Sequence, residues 1–172
     1  MIIGVDGALV IEGKRMFSIR LARRAEARTI AIMSRDLIET GLGWSWTPPR
    51  ILRNIRDRNT NVIVAVAGGR IVGFAVMRYL EQEAHLLLFA VSPKQRRSGV
   101  GTALIEWLEK TALIAGIETI HLEVRARNNG SRRFYRRLGY EEGDTLRGYY
   151  RGVEAAVRIR RRLWSAINSN AS

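Results

Sequence analysis

A buried strand that passes through a glycine-containing turn into a helix is the feature that most constrains the fold of this chain. The apolar run Leu86–Val91 predicts the strand, and the spacing of apolar residues from Gly99 to Ala115 predicts a helix packed on the core. Between them lies the basic segment 92–102, which contains Gly99 and Gly101. The first turn of a helix has N–H groups without intrahelical acceptors, and glycines let a phosphate approach them closely. The sequence therefore predicts a phosphate site at this junction.

Segment 92–102 also has a plainer interpretation, a basic surface loop that binds nothing. It is not a Walker P-loop, because no Gly-Lys-Ser/Thr follows the glycines, and it lacks the G-x-G-x-x-G pattern of dinucleotide-binding turns. The strand before it and the helix after it favour the phosphate site. The candidate phosphate contacts are Arg96, Arg97, Ser98, Gly99, Val100, Gly101 and Thr102.

Composition narrows the class of protein. The chain has 172 residues, of which 47% are hydrophobic, enough for the core of one domain. No apolar run approaches the roughly 20 residues that span a bilayer, and residues 1–10 lack the features of a secretory signal, so we expect a cytoplasmic protein without membrane contact. Cysteine is absent, which excludes disulfides and a cysteine nucleophile. His85 and His121 are isolated in the sequence, so we expect no metal site.

The net charge of +13 is the unusual bulk property, and it predicts attraction to polyanions such as coenzyme phosphates, acidic peptides or nucleic acid. A solvated basic surface is the plainer interpretation. A nucleic-acid-binding module is a further hypothesis, although no RNA-recognition or helix-turn-helix signature accompanies the arginines. The arginines that support it are Arg132, Arg133, Arg136, Arg137, Arg158, Arg160, Arg161 and Arg162.

Hydrophobic periodicity predicts the order β-α-α-β-β-β-α-β-α-β-β within one domain, residues 16–166, between a loosely ordered extension (1–15) and a frayed tail (167–172). In the first helix, Glu39 is expected away from the apolar face. The predicted strands are 17–21, 62–67, 71–79, 85–91, 118–124, 140–146 and 153–163, and the predicted helices are 22–40, a short one beginning at Pro48, 99–115 and 129–138.

Arg96, Gly99 and Gly101 match the Q/R-x-x-G-x-G/A signature, and in this the chain resembles the GCN5-related N-acetyltransferases (GNAT superfamily). The resemblance implies an α/β (α+β) fold with a mixed, mostly antiparallel sheet of about seven strands, splayed between strands 4 and 5 and flanked by about four helices. It implies acetyl-CoA as co-substrate, with its pantetheine arm on the backbone of Phe89–Val91.

A second motif, Glu123-Val124-Arg125-x-x-Asn128 followed by Tyr135 and Gly139-Tyr140, resembles the branch that acetylates protein N-termini, including the RimI-type ribosomal-protein alanine acetyltransferases. The resemblance implies that Glu123 accepts a proton and that Tyr135, 12 residues later, donates one. It places Asn128 and Arg136 with Phe89, Ala90 and Val91 among the coenzyme contacts.

The chemistry requires such a pair independently of the resemblance. A protonated amine must lose a proton before it attacks a thioester, and the departing thiolate benefits from a proton donor. Burial is expected to raise the pKa of Glu123 towards working pH, whereas the alternative is a glutamate on the wet face of the sheet, paired with Arg125. Glu83 and His85 are the reserve candidates for the base. For the acid, we expect Phe134 and Leu138 to pack inward, which leaves Tyr135 to point elsewhere.

The acceptor site is expected between the loops 41–47 and 147–152, with Trp44, Trp46, Tyr149 and Tyr150 as candidate walls; packing of a tryptophan onto the core is the alternative. The leading hypothesis is acetyl transfer from acetyl-CoA to the α-amine of a protein or peptide N-terminus, by direct attack in a ternary complex. A small amine or a lysine side chain is the alternative acceptor. Docking to the ribosome or another polyanion would account for the charge, and we expect a monomer or homodimer.

Overall fold

The computed structural model describes residues 2–3, 9–11 and 14–164, with side chains from Phe17 onward. The strands are β1 (Ile2–Ile3), β2 (Leu9–Ile11), β3 (Lys14–Leu21), β4 (Thr60–Ala67), β5 (Arg70–Tyr79), β6 (Glu83–Val91), β7 (Thr119–Arg125), β8 (Glu141–Tyr150) and β9 (Glu154–Arg162). The helices are α1 (Ala27–Leu37), α2 (Pro48–Arg56), α3 (Val100–Ile114) and α4 (Asn129–Arg137), with 3₁₀ turns at Arg24–Glu26 and Pro93–Gln95. From β3 onward, the predicted order of elements is confirmed.

The strands form a sheet in the order β1-β2-β3-β4-β5-β6-β7-β9-β8. Among the described strands, β6 and β7 are the one parallel pair, because α3 joins them as a crossover, and the other neighbours are antiparallel. The seven strands from β3 to β9, with four helices, confirm the predicted mixed sheet.

The predicted splay is confirmed between β6 and β7. The two strands pair over only three rungs, which end at His85 opposite His121. Both strands continue past that rung, β6 to Val91 and β7 to Arg125. A wedge therefore opens along the second half of β6, where the edge that faces β7 has no partner strand among the described residues.

The sheet separates two apolar cores. One lies against α3 and α4 and includes Leu104, Leu108 and Ile159; the other lies against α1 and α2 and includes Ile30, Ile51 and Phe74. Continuous apolar strands such as β4 are explained by this arrangement, because both faces of the central sheet are covered.

A β-bulge in β6 changes which core each side chain faces. In the pairing with β5, Leu86 lies opposite Met77 and Leu88 opposite Val76, so Leu87 is one extra residue. Before the bulge, Leu86 packs in the α3 core; after it, Leu88 packs in the α1–α2 core. His85 therefore points to the α1–α2 face of the sheet.

The terminal predictions fall largely outside the described residues. Of the predicted extension 1–15, the described parts form β1, β2 and the start of β3, and the remaining residues lie outside the described ranges, as does the predicted tail 167–172. Within the described residues, no helix is long and apolar enough to cross a membrane.

Candidate active site

The glycine-containing turn ends as an open helix N-terminus. Gly99 is the N-cap of α3, with φ of 85° and no side-chain cap, so the amides of Val100, Gly101 and Thr102 begin the helix without intrahelical acceptors. Arg97 also has a positive φ, 63°, in the turn before it. A Cβ on Gly99 would meet nothing within 4 Å, so the space beside the N-cap is open. This geometry suits an anion.

Gly101 is required by close packing. A Cβ at this position would lie 3.3 Å from Cζ of Phe134 and 3.4 Å from Cζ of Phe89. These two rings stack with centroids 5.5 Å apart. The glycine therefore lets α3 begin directly against the aromatic pair beside the wedge.

The wedge lies next to this helix N-terminus. Phe89, Ala90 and Val91 pair with β5 on one edge and border the wedge on the other. The Nε of Arg96 lies 3.5 Å from the carbonyl oxygen of Val91 and so links the turn to the strand. The structure thus brings together the predicted coenzyme contacts of β6 and of segment 96–102.

A cluster of titratable side chains lies where the wedge begins. His85 Nε2 is 2.6 Å from Glu123 Oε2, and Arg158 Nε donates to Glu123 Oε1 at 3.1 Å. The His85 and His121 rings stack with centroids 4.4 Å apart. The side chain of Glu123 is only 5% exposed. Residues from β6, β7 and β9 thus meet on the α1–α2 face.

The pKa of Glu123 is lowered, which corrects the expectation that it would be raised. Burial does act to raise it, but the hydrogen bond and charge of His85, together with those of Arg158, outweigh burial. The carboxylate is therefore ionised near neutral pH and acts only as an acceptor. It follows that His85 Nε2 donates to this carboxylate, and that Nδ1 is the ring nitrogen left to accept a proton whenever the imidazole is uncharged.

The two histidines are not isolated, contrary to the expectation from the sequence. Burial, followed by the neighbouring His85, lowers the pKa of His121. Candidate ligand atoms of His85, His121 and Glu123 all lie within 4.8 Å of one another, a spacing that a metal ion accepts. Glu83, the other reserve base, lies 3.8 Å from His121 Nδ1 with a largely exposed side chain. The expected absence of a metal stays a prediction.

The sequence matches the model of the Acetyltransferase (GNAT) family over residues 30–140, more than half of the chain. This chain belongs to the GNAT family. It is 33% identical over 105 residues to the ribosomal protein bS18-alanine N-acetyltransferase of Escherichia coli strain K12, which covers 61% of this chain and 70% of that protein. It is also 29% identical over 118 residues to an N-alpha-acetyltransferase of Sulfurisphaera tokodaii. That alignment covers 61% of this chain and 71% of the relative.

Solved structures agree with this assignment. The crystal structure of Ard1 from Thermoplasma volcanium matches with a TM-score of 0.75 and 29% identity, covering 86% of this chain and 97% of that one. The protein is thus an N-acetyltransferase, as the sequence resemblance implied. A nucleic-acid-binding module is not retained as its main activity.

Four of the arginines behind that hypothesis have carboxylate partners in this GNAT domain. Arg132 and Arg136 share Glu142, while Arg158 pairs with Glu123 and Arg161 with Glu109. Part of the positive charge is therefore balanced by carboxylates of the same domain.

Tyr135 is packed differently from the expectation. It is 3% exposed, whereas Phe134 is only partly buried against the α3 core. The expected orientation, with Phe134 inward and Tyr135 free, is wrong, because the Phe134 ring is used to stack on Phe89. Burial, and then the neighbouring Tyr150, raise the pKa of Tyr135. The phenol stays protonated at neutral pH and is available as a donor.

Tyr135→Phe is expected to lower kcat about 10- to 100-fold, because it removes only the proposed proton donor. No other described residue forms a hydrogen bond with this hydroxyl, so the melting temperature should change little. Tyr140→Phe is the matched control, because its hydroxyl donates to Glu109 at 3.0 Å. That control should lower the melting temperature and leave kcat nearly unchanged. An unchanged kcat in Tyr135→Phe would assign the proton donor to another group.

A buried carboxylate, Glu39, organises the α1–α2 loop of this GNAT enzyme. Glu39 was expected on the polar face of the first helix, but it lies beyond the end of α1. Glu39 Oε1 accepts from Ser45 N at 2.8 Å and from Ser45 Oγ at 2.5 Å, and both oxygens lie 3.2 Å from Trp46 N. Trp46 packs in the α1–α2 core, as the packing alternative proposed, whereas Trp44 is 40% exposed. Glu39 also accepts from Ser34 Oγ of α1 at 3.3 Å, but most of its hydrogen bonds come from residues 45 and 46, which helical periodicity does not bring near it.

The two predicted acceptor loops do meet. A Cβ on Gly43 would lie 2.9 Å from the guanidinium of Arg151. Arg125 on β7 links the segments that adjoin these loops, because it donates to the carbonyls of Ile38 and Thr40 at 2.8 Å and pairs with Glu154 at 3.2 Å.

Tyr149 and Tyr150 end β8 beside the Glu123 cluster. Tyr150 donates to the backbone oxygen of Glu123 at 3.3 Å, and burial is the main cause that raises its pKa to about 12. Burial, and then the charge of Glu123, raise the pKa of Tyr149, which is 44% exposed. The structure thus places the tyrosine pair against the titratable cluster.

Two predicted coenzyme contacts have structural partners. Asn128 caps α4, its Oδ1 accepting from Ser131 N at 3.1 Å, and Arg136 pairs with Glu142 at 3.2 Å. Their role towards a coenzyme stays a prediction. Arg125 and Arg158 were not predicted as site residues, since their partners lie far away in the sequence.

Proposed function

We propose that this enzyme transfers an acetyl group from acetyl-CoA to the α-amine of a protein or peptide N-terminus, by direct attack within a ternary complex. The observation that carries the proposal is the position of the His85–Glu123 pair at the start of the wedge between β6 and β7. One side of that wedge leads to the open N-terminus of α3, and the other to the loops 41–47 and 147–152. A thioester held in the wedge would lie between a phosphate site and an amine site.

The coenzyme would bind mainly through backbone groups at the open end of α3 and along the wedge. The first-turn amides of Val100, Gly101 and Thr102 would hold the pyrophosphate, with Arg96 and Arg97 adding positive charge. The wedge-facing edge of Phe89–Val91 would hydrogen-bond the pantetheine amides as a further strand would. Asn128 and Arg136 lie at the opposite side, on α4.

His85 is the better-placed proton acceptor, and Glu123 orients it. Both Glu123 oxygens already accept hydrogen bonds, and its pKa is lowered, which makes it a weak base. Glu123 fixes the proton of His85 on Nε2 and stabilises the imidazolium that forms when Nδ1 accepts a proton from the amine. The free amine would then attack the thioester carbonyl, and the tetrahedral intermediate would expel the CoA thiolate, which takes a proton from Tyr135. The nitrogen loses its second proton in this collapse, and that proton restores the Tyr135 phenol.

A peptide N-terminus fits the acceptor side better than a small amine. The wall consists of an exposed tryptophan, Trp44, and of Tyr149 and Tyr150, on two loops that contact each other through Gly43 and Arg151. Such walls offer both apolar area and hydroxyl donors along an extended chain. Two relatives have names that state a protein or α-amine acceptor, the ribosomal protein bS18-alanine N-acetyltransferase and the N-alpha-acetyltransferase.

Turnover against three panels tests the acceptor. We expect acetylation of peptides with a free α-amine, and none of the same peptides when the α-amine is blocked and a lysine is retained. Polyamines and aminoglycosides form the third panel. Acetylation of the blocked peptides or of the small amines, with no transfer to α-amines, would overturn the proposal and leave the acetyltransferase assignment intact.

A further inference from the structure

One face of α2 carries a cluster of arginines that neither core uses. Arg50, Arg53 and Asn54 follow the spacing i, i+3, i+4, so they lie on the same side of the helix, and Asp57 follows as its C-cap. Together with Arg78 of β5 they line an open cavity of about 300 Å³. The cavity is therefore bordered by three guanidinium groups and one carboxylate.

The one carboxylate only partly offsets the charge of the arginines, because Asp57 is attracted to Arg78 without a direct ion pair among the described residues. Asp57 Oδ1 accepts from Asn59 N at 3.0 Å and Oδ2 from Thr60 Oγ1 at 2.8 Å, so it is used to shape the turn after α2. Within residues 17–164, neither Arg53 nor Arg78 forms an ion pair shorter than 4 Å. The cavity keeps an excess of positive charge.

Arg50 is held in place by an aromatic neighbour. Its guanidinium lies over the Trp46 ring, 3.9 Å from the centroid. Since Trp46 is buried in the α1–α2 core, this arginine is pre-organised at the cavity and loses little side-chain freedom when it binds an anion.

Asn54 points to a ligand that also donates a hydrogen bond. It is 6% exposed, and its Nδ2 donates to the carbonyl oxygen of Arg50 at 2.9 Å. Its Oδ1 is buried and accepts no hydrogen bond from the residues that the structure describes. A buried acceptor without a partner is costly, so a ligand that supplies an N–H here would gain affinity.

The cavity lies one strand away from the proposed base. Arg78 is directly opposite His85 in the pairing of β5 with β6, and residues opposite each other in such a pair share a face, with Cα atoms about 5 Å apart. An extended peptide advances about 3.3 Å per residue. A chain whose α-amine is at His85 would therefore place its second to fourth residues within reach of the arginines.

We propose that this cavity is an anion subsite that selects acceptor peptides with an acidic side chain at the second to fourth position. The side-chain carboxylate would pair with Arg50, Arg53 and Arg78, and the backbone N–H of the acceptor would donate to Asn54 Oδ1. An acidic residue supplies both groups, which matches the chemistry of the cavity. The inference rests on the proposed α-amine acceptor.

Steady-state kinetics with paired peptides test the subsite. Peptides with N-terminal alanine carry one glutamate at position 2, 3 or 4, and each is compared with its glutamine counterpart. At the best position, glutamate should lower KM at least about fivefold relative to glutamine. Arg53→Gln and Arg78→Gln should each remove most of this difference, and Arg53→Glu should favour a lysine peptide instead. Arg56→Gln, which removes the same charge from α2 outside the cavity, is the matched control.

The outcomes separate this inference from the function on which it rests. If no α-amine peptide is acetylated, the proposed function fails first. If peptides are acetylated but glutamate and glutamine are equivalent at every position, the subsite is wrong and the function stands. If the arginine variants instead weaken the retention of single-stranded RNA while peptide KM values stay the same, the cavity serves nucleic acid and the proposal is overturned.

Discussion

Gly99→Glu is expected to raise the dissociation constant for acetyl-CoA about a hundredfold. The glutamate side chain would enter the open space above the first turn of α3, where its charge would repel the pyrophosphate and its oxygens would compete for the amides. Charge-assisted hydrogen bonds are worth about 1.5–3 kcal/mol each, and about 2.8 kcal/mol corresponds to about a hundredfold in affinity. Calorimetric titration measures the change. Gly101→Glu should act in the same direction, because its Cβ would also press on Phe134 and Phe89.

Gly116→Glu is the control for backbone strain. Gly116 follows the other end of α3 and has φ of 77°, and a Cβ there would meet nothing within 4 Å, so it shares the left-handed backbone and the open space of Gly99. Both variants should lose a similar amount of stability, but Gly116→Glu should keep its coenzyme affinity. Equal coenzyme affinity in Gly99→Glu and the unchanged protein would remove the phosphate site from this turn.

His85→Gln and Glu123→Gln are each expected to lower kcat about 100- to 1,000-fold without a matching change in coenzyme affinity. The two side chains act as one unit through the 2.6 Å contact, so the double variant should be little worse than either single variant. Single-turnover rates with saturating acetyl-CoA measure this directly. Additive losses would show that the two groups act independently.

The dependence of the rate on pH tests whether Glu123 is the proton acceptor. A proton acceptor must be deprotonated, so the rate rises with pH through the pKa of the base. Because the pKa of Glu123 is below its ordinary value, its carboxylate is ionised throughout about pH 5–8, and a rise of the rate in that range belongs to another group. Glu123→Gln should therefore keep any such rise, at a lower rate. Loss of the rise in Glu123→Gln would return the role of base to Glu123.

Hydrophobic periodicity predicted the order of elements from β3 onward. The apolar residues on one face of a helix or strand repeat every two to four residues, so the pattern is visible in the sequence. The position of α3 followed from the apolar repeat after Gly99, and the wedge followed from the family resemblance. Glu39 was misplaced because it lies outside α1, where the helical period no longer applies. The burial of Phe134 and Tyr135 was predicted the wrong way round, because the stacking partner of Phe134 is Phe89 on β6, which is distant in the sequence.

The ion-pair and hydrogen-bond partners of the site residues could not be predicted from the sequence. The partners of Glu123 are His85 and Arg158, which are 38 and 35 residues away. Arg125 reaches the carbonyl of Ile38, which is 87 residues away. Burial alone predicts a raised carboxyl pKa; only the identity of the neighbours reverses the direction.

The extra residue Leu87 divides β6 into two halves with different tasks. Without it, the side chain that now meets Glu123 would turn into the leucine-rich layer beneath α3, away from Glu123. With it, His85 and Phe89, only four residues apart, face opposite sides of the sheet. One inserted amino acid therefore lets a single strand contribute an imidazole to the Glu123 cluster and an aromatic ring to the start of α3.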